Sequence, residues 1–142
     1  MRGTFICAMF CLLPQLFPVV FAAADPILVV ANPSLKTQLN KEDLKEIFLG
    51  NKTMVDSRRV IPVDQARTSK LRKEFYQFLV GKSPVEMNVY WAEQIFSGKA
   101  RIPSVVPDDQ AVIQYVSSNS DAIGYVSRSA DTKNVTVLML LQ

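Results

Sequence analysis

Histidine is absent from all 142 residues of this chain, and its two cysteines, Cys7 and Cys11, both fall within the first 24. Beyond that point there is neither imidazole nor thiol, so the commonest general base, the thiolate nucleophile and the usual zinc ligands are missing. Hydrolases built on a Ser-His-Asp or Cys-His arrangement are excluded by composition, and no disulfide is expected after residue 24. A strong charge of one sign is also lacking: 16 Lys and Arg stand against 13 Asp and Glu, a net charge of +3. That balance is too even for a general nucleic-acid binder, whose affinity comes largely from neutralising phosphates. Asp108 and Asp109 are adjacent carboxylates, yet with Pro107 before them they read as a helix start rather than as an acid/base pair. The composition therefore describes a non-enzyme, with no metal site, no cofactor and no nucleic-acid partner expected.

The first 24 residues have an order of their own. Arg2 is followed by an apolar stretch from Phe5 to Phe21, in which Gln15 is the only strongly polar residue, and then by Ala22-Ala23-Ala24. That is the order of a secretory signal, and small residues at Ala22 and Ala24 place cleavage before Asp25. The apolar length approaches the roughly 18–20 residues of a membrane span, which makes an anchor the alternative. Pro14 and Pro18 interrupt such a helix, however, and the alanine triplet suits cleavage better than a stop-transfer flank. Neither cysteine lies at the end of the run, where a lipid would be attached. The expectation is a soluble periplasmic protein secreted across an inner membrane, with a signal over residues 1–24 and one domain over 25–142. Those 118 residues have room for a single core. Without Arg2 they carry 15 basic and 13 acidic side chains, so any pull on an anion must be local.

Apolar runs and turn residues then divide the chain. Ile27 to Ala31 is a short buried-strand pattern ended by Asn32-Pro33-Ser34. Asn40 caps a helix with Glu42 and Asp43 in its first turn and Leu44, Ile47 and Phe48 on one face, and Gly50 ends it. After a polar loop, Val60 to Val63 gives a second strand in which Pro62 points to an edge or a strand end. A helix from about Ser69 to Val80 carries Leu71, Phe75, Phe78 and Leu79, with Gly81 as its stop. Ser83-Pro84-Val85-Glu86 is a capping box with proline at the first helical position. The helix it opens places Val85, Val89, Ala92, Ile95 and Phe96 toward the core, with Gly98 as its break. Lys99 to Pro107 reads as a loop, and a fourth helix starts near Asp108 with Val112, Ile113 and Val116 buried. Ala122 to Val126 and Val135 to Leu141 close the chain as strands. Strands interleaved with helices indicate an α/β layer fold with a largely parallel sheet.

Chemistry concentrates between Arg58 and Phe75. A strand runs through a polar turn into a helix whose first turns hold Lys70, Arg72 and Lys73, cations that face the positive end of the helix dipole at a cost of ~0.3–1 kcal/mol each. Free backbone donors, the Ser69 hydroxyl and these cations, with Arg58, Arg59 and Arg67 near in sequence, make up an anion site in physical terms. Asp56, Asp64 and Glu74 are interleaved with them, so a solvated surface of weak ion pairs, each worth ~0–1 kcal/mol, explains the same residues. Tyr90 and Trp91 could stack on a ligand, but at helical spacing with Met87 and Gln94 the tryptophan reads as a packing residue.

In order and spacing, LNKEDLKEIFLGNKT, VIPVDQARTSKLRKEFYQFLVG, VYWAEQIFSGKA and AIGYVS resemble one lobe of the phosphate-type substrate-binding proteins of ABC transporters. The matching features are Phe48-Leu49-Gly50, the Val60–Val63 strand, Ser69 with Phe75, Trp91, and Ala122-Ile123-Gly124-Tyr125. The resemblance covers Ile27 to Val126 and implies one lobe of a type II periplasmic-binding-protein-like fold: a mixed, mostly parallel sheet flanked by helices. It also implies a small anion such as phosphate as ligand, held at the start of the Ser69 helix, and a membrane permease as partner. In that family an arginine four residues before a Ser-Gly-Thr clasps the phosphate. Here Ser69 matches the serine, Gln65 stands at the arginine position, and Lys70 and Leu71 replace the glycine and threonine. The candidate ligand set is Gln65, Arg67, Thr68, Ser69, Lys70 and Arg72. One lobe covers only one side of a small anion, so tight binding would require two copies paired across the cleft. The alternative is a ligand-free accessory or sensory partner on the same fold.

Overall fold

The computed structural model describes residues 25–99 and 101–142, so the signal expected over residues 1–24 lies outside the described part. Strand β1 (Ile27–Ala31) is the first apolar run, and all but one of its residues are buried. Helix α1 (Lys41–Phe48) begins at Asn40, whose side chain accepts from the Asp43 N–H at 2.8 Å while the Asp43 carboxylate reaches back to the Asn40 N–H. Its Leu44, Ile47 and Phe48 are fully buried, each stabilising the fold by ~1.5–3 kcal/mol. The expected polar loop contains a small hairpin, β2 (Met54–Val55) and β3 (Arg58–Arg59), joined through Asp56 and Ser57 at φ 48° and 65°. Two consecutive positive φ values are what a two-residue hairpin turn needs.

Strand β4 (Ile61–Gln65) leads to helix α2 (Lys70–Val80) and, across Gly81 at φ 72°, to helix α3 (Pro84–Phe96). Strand β5 (Ser104–Val106) lies in the expected loop, and helix α4 (Asp109–Ser118), strand β6 (Ala122–Ser127) and strand β7 (Thr136–Leu141) complete the chain. The five-stranded sheet has the order β5-β4-β6-β1-β7. β4 runs parallel to β5 and β6, whereas β1 is antiparallel to both β6 and β7. Four strands thus share a direction, and β1 is reversed between two of them. Pro62 sits near the start of an interior strand. Ile61 donates to the Asp121 carbonyl on the β6 side, so the missing donor of Pro62 falls on the other side, where β5 pairs only from Val63 onward.

Helices α1 to α3 pack on the sheet face that carries Ile27, Val29, Ala31 and Tyr125. Helix α4 packs on the opposite face, against Val30, Val63 and Val126. Gly124 permits this second contact: a Cβ there would lie 2.7 Å from both Val63 Cγ1 and Val112 Cγ1.

Helix α3 departs from expectation. Met87 and Trp91 are buried, while Val85, Val89, Ala92, Ile95 and Phe96 face solvent, Phe96 at 96% exposure. Two apolar stripes compete on this helix, and periodicity alone cannot choose between them. The wider side chains Met87 and Trp91 fill the space beside α1 and α2, and the Tyr90 hydroxyl donates to the Leu49 carbonyl at 2.7 Å, which fixes the rotation. Trp91 is a packing residue. On α2, Phe75, Tyr76 and Leu79 are buried and Phe78 lies at the rim with the Lys41 ammonium 4.1 Å from its ring centre.

Candidate functional site

The C-terminal end of β4 meets the N-termini of α2 and α4, and the residues expected to hold an anion gather around this junction. Gln65, Ser69, Leu71, Pro107, Asp108, Asp109, Gln110 and Ser127 line a shallow, open depression of about 500 Å³.

Behind it lies a closed polar centre on Asp64. This carboxylate is 2% exposed and accepts from Arg72 Nε at 2.9 Å, Tyr76 Oη at 3.0 Å and Tyr125 Oη at 2.5 Å. It also accepts from the Gln65 N–H at 2.8 Å. Burial alone would push the Arg72 guanidinium down, but the charge and hydrogen bond of Asp64 hold it above its ordinary value. Burial, reinforced by the Asp64 charge, pushes both tyrosine hydroxyls well above theirs. Arg72 is 4% exposed, so the cation expected to face a solute points into the core instead. The physical reason is its partner. A guanidinium beside a buried carboxylate compensates the desolvation of both, and neither could be buried alone at tolerable cost.

The depression itself is organised by Asp109, the first residue of α4. Asp108 caps that helix by accepting from the Ala111 N–H at 2.9 Å. Asp109 then sits at the positive end of the helix dipole. One of its oxygens accepts from Gln65 Nε2 at 2.7 Å, and the other from Ser127 Oγ at 2.5 Å and from the Ser127 N–H at 3.2 Å. Gln65 Nε2 also donates to the Tyr125 carbonyl at 3.3 Å, and Gln65 Oε1 accepts from Ser69 Oγ at 2.9 Å. Ser69 Oγ in turn accepts from the Arg72 N–H at 3.2 Å, as the cap of α2.

Counting protons decides what this arrangement can do. An amide has two N–H donors and a hydroxyl one. Both donors of Gln65 are used, as are the single protons of Ser69 and Ser127, and the Ser127–Ser129 contact at 2.9 Å must therefore be donated by Ser129. A carboxylate belonging to the protein thus takes the bonds that Gln65 and Ser127 could offer a bound oxyanion. Donors left over include the N–H groups of Lys70 and Leu71 in the first turn of α2 and of Asp109 and Gln110 in the first turn of α4, which have no intrahelical carbonyl, the latter pair beside the Asp108 and Asp109 carboxylates. Arg67 and Thr68 are exposed on the turn beside them. The Lys70 ammonium extends into solvent, 3.4 Å from Glu74.

Of the six candidate residues, Gln65 and Ser69 line the depression, Arg67, Thr68 and Lys70 lie on the surface next to it, and Arg72 is withdrawn from it. Arg58 and Arg59 are at the opposite end of β4, where Arg58 donates to the Ser34 carbonyl at 3.0 Å. Asp109 and Ser127 were not among the expected site residues, and the helix-start pattern at Asp108-Asp109 was the only sign of the first. Asp64 had a clearer signal: a carboxylate inside an apolar strand, eight residues before an arginine on a helix. Among the described residues, no group of three His, Cys, Asp or Glu side chains is placed to hold a metal ion.

No protein-family model and no curated protein sequence matches the chain. Among solved structures it is similar to an ABC-type phosphate transport receptor from Vibrio cholerae, with a TM-score of 0.63, 21% identity, and coverage of 81% of this chain and 46% of the other. A putative phosphate ABC transporter substrate-binding protein with bound phosphate from Clostridium perfringens matches with a TM-score of 0.62 and 17% identity, over 80% of this chain and 44% of that one. PstS from Borrelia burgdorferi gives 0.55 and 17%, over 73% and 41%. The chain spans less than half the length of each of these proteins, and at such identities the likeness is one of fold: an α/β unit built like part of a phosphate-type solute receptor.

Proposed function

We infer that this chain is an exported, non-enzymatic interaction protein that keeps the fold of a solute-receptor lobe and carries its own carboxylate where a solute would rest. One observation supports this reading above others: Asp109 takes every hydrogen bond that Gln65 and Ser127 can give toward the depression. Among the described residues the one buried cation, Arg72, is neutralised by Asp64. An incoming phosphate would meet the charges of Asp108 and Asp109 in the lining of the depression, with Arg67 and Lys70 only on the exposed surface beside it. Such a protein acts through its surface, as an accessory or sensory partner of an envelope protein, and its partner is a macromolecule rather than a solute.

A thermal-shift titration of the purified protein with phosphate, sulfate and an organic phosphate tests this. Any useful affinity raises the melting temperature by mass action. No rise is expected at millimolar ligand, and a rise of several degrees overturns the reading. In that event the second reading takes its place, with a small oxyanion held by the Lys70 and Leu71 N–H groups beside Arg67 and Thr68. Export has a test of its own: protein recovered from the periplasm of a bacterial host is expected to begin at Asp25, which intact mass spectrometry reads directly.

A further inference from the structure

The two edges of the sheet are built differently. β5 is three residues long and bracketed by Pro103 and Pro107, two of the devices that keep an edge from pairing with another chain. β7 is twice as long, has no proline, and no charged side chain occurs from Asn134 to Gln142. Its inner side is paired to β1, and it is the last strand in the order, so among the described residues the N–H and C=O groups of its outer side form an unpaired row. Backbone groups in such a row are a template for an extended strand of another chain.

Side chains point the same way. The register of β7 against β1 shifts between Val29 and Val30, which brings Val137 and Leu140 onto one face of the sheet, opposite Val30 and Leu28. α4 covers that face over β4, β6 and β1 but leaves Val137 and Leu140 at 43% and 44% exposure. A two-fold axis normal to the sheet pairs β7 with its own copy in antiparallel fashion and keeps like faces together. Val137 and Leu140 then adjoin the same residues of the copy, and no like charges meet. The strand is self-complementary in backbone, in apolar contact and in charge, which is what an isologous interface requires.

We propose that two copies of this chain associate edge to edge through β7, joining their sheets into one. This deepens the reading above by naming an interaction surface and rests on it only for the expectation of a protein partner. The protein, purified after expression of the full chain in a bacterial host, is examined by sedimentation velocity over a concentration series. A dimer is expected. Val137→Lys and Leu140→Lys should each raise its dissociation constant at least about tenfold, because each places a charge against its own copy. Phe96→Lys, on the exposed face of α3, should leave it unchanged. Thermal melts identify any variant that fails to fold, and the other lysine variant then carries the test. Hydrogen exchange gives a second readout, with slower exchange expected in residues 136–141 as concentration rises. A monomer at every concentration overturns the proposal, as does a dimer that survives both β7 variants or is broken by Phe96→Lys. The phosphate titration responds to the depression and not to β7, so failure of one reading is distinct from failure of the other.

Discussion

Asp64 and Asp109 are two carboxylates on either side of Gln65, and they solve the same electrostatic problem in opposite ways. Asp64 is buried and is held by a cation and a phenol from α2 and a second phenol from β6. Asp109 is half-buried and has no cation; a helix terminus, an amide, a hydroxyl and a backbone N–H share its charge. A charge sealed in the core must be matched by another charge, whereas one at the mouth keeps part of its hydration and needs only oriented dipoles. The first carboxylate locks β4, α2 and β6 together. The second fills a surface position with little commitment of fold stability.

The largest expected effect separates the two centres. Asp64→Ala leaves Arg72 buried without a partner and should cost ~3–5 kcal/mol in urea denaturation, and equal losses for Asp64→Ala and Asp109→Ala would break the comparison. Alkaline pH sharpens it next. Tyr76 and Tyr125 keep their protons above the ordinary tyrosine value of about 10, so above that pH the unfolded chain binds fewer protons than the folded one. Stability should therefore fall as pH rises, by up to about 1.4 kcal/mol per pH unit for each tyrosine, with Tyr125→Phe removing one share of the slope in melts between neutral and strongly alkaline buffer. Ser69→Ala removes the cap of α2 and should cost about 1 kcal/mol, read by the same denaturation. Asp109→Asn should change stability least, by under about 1 kcal/mol, because an amide oxygen still accepts from Ser127. It should nevertheless make the protein more responsive to phosphate than the parent, since a repelling charge is gone.

Local chemistry was legible wherever one residue satisfies a neighbour. Asn40, Ser83 and Asp108 cap helices as their positions require, since an N-cap bonds within three residues of itself. The α1 core face, the β1 run and the α/β layering were legible for a similar reason: burial imposes a period on the sequence. The orientation of α3 was not, because its two apolar stripes are each at helical spacing, and what chose between them was the space left beside Trp91 and the reach of Tyr90 to Leu49. Arg72 was legible as a cation but not as a buried one.

Sequence alone was enough to place the helix starts and stops and the α/β layering, and to exclude imidazole and thiol chemistry after residue 24. Tertiary packing was needed to turn Arg72 inward to Asp64, to carry Asp109 from α4 to Gln65 and Ser127, and to leave β7, among the described residues, as an unpaired edge of the sheet. These contacts join residues 8, 44 and 18 positions apart, or depend on which strands become neighbours. Chain connectivity sets what a residue can do for its neighbours, whereas folding alone sets which distant group receives its charge.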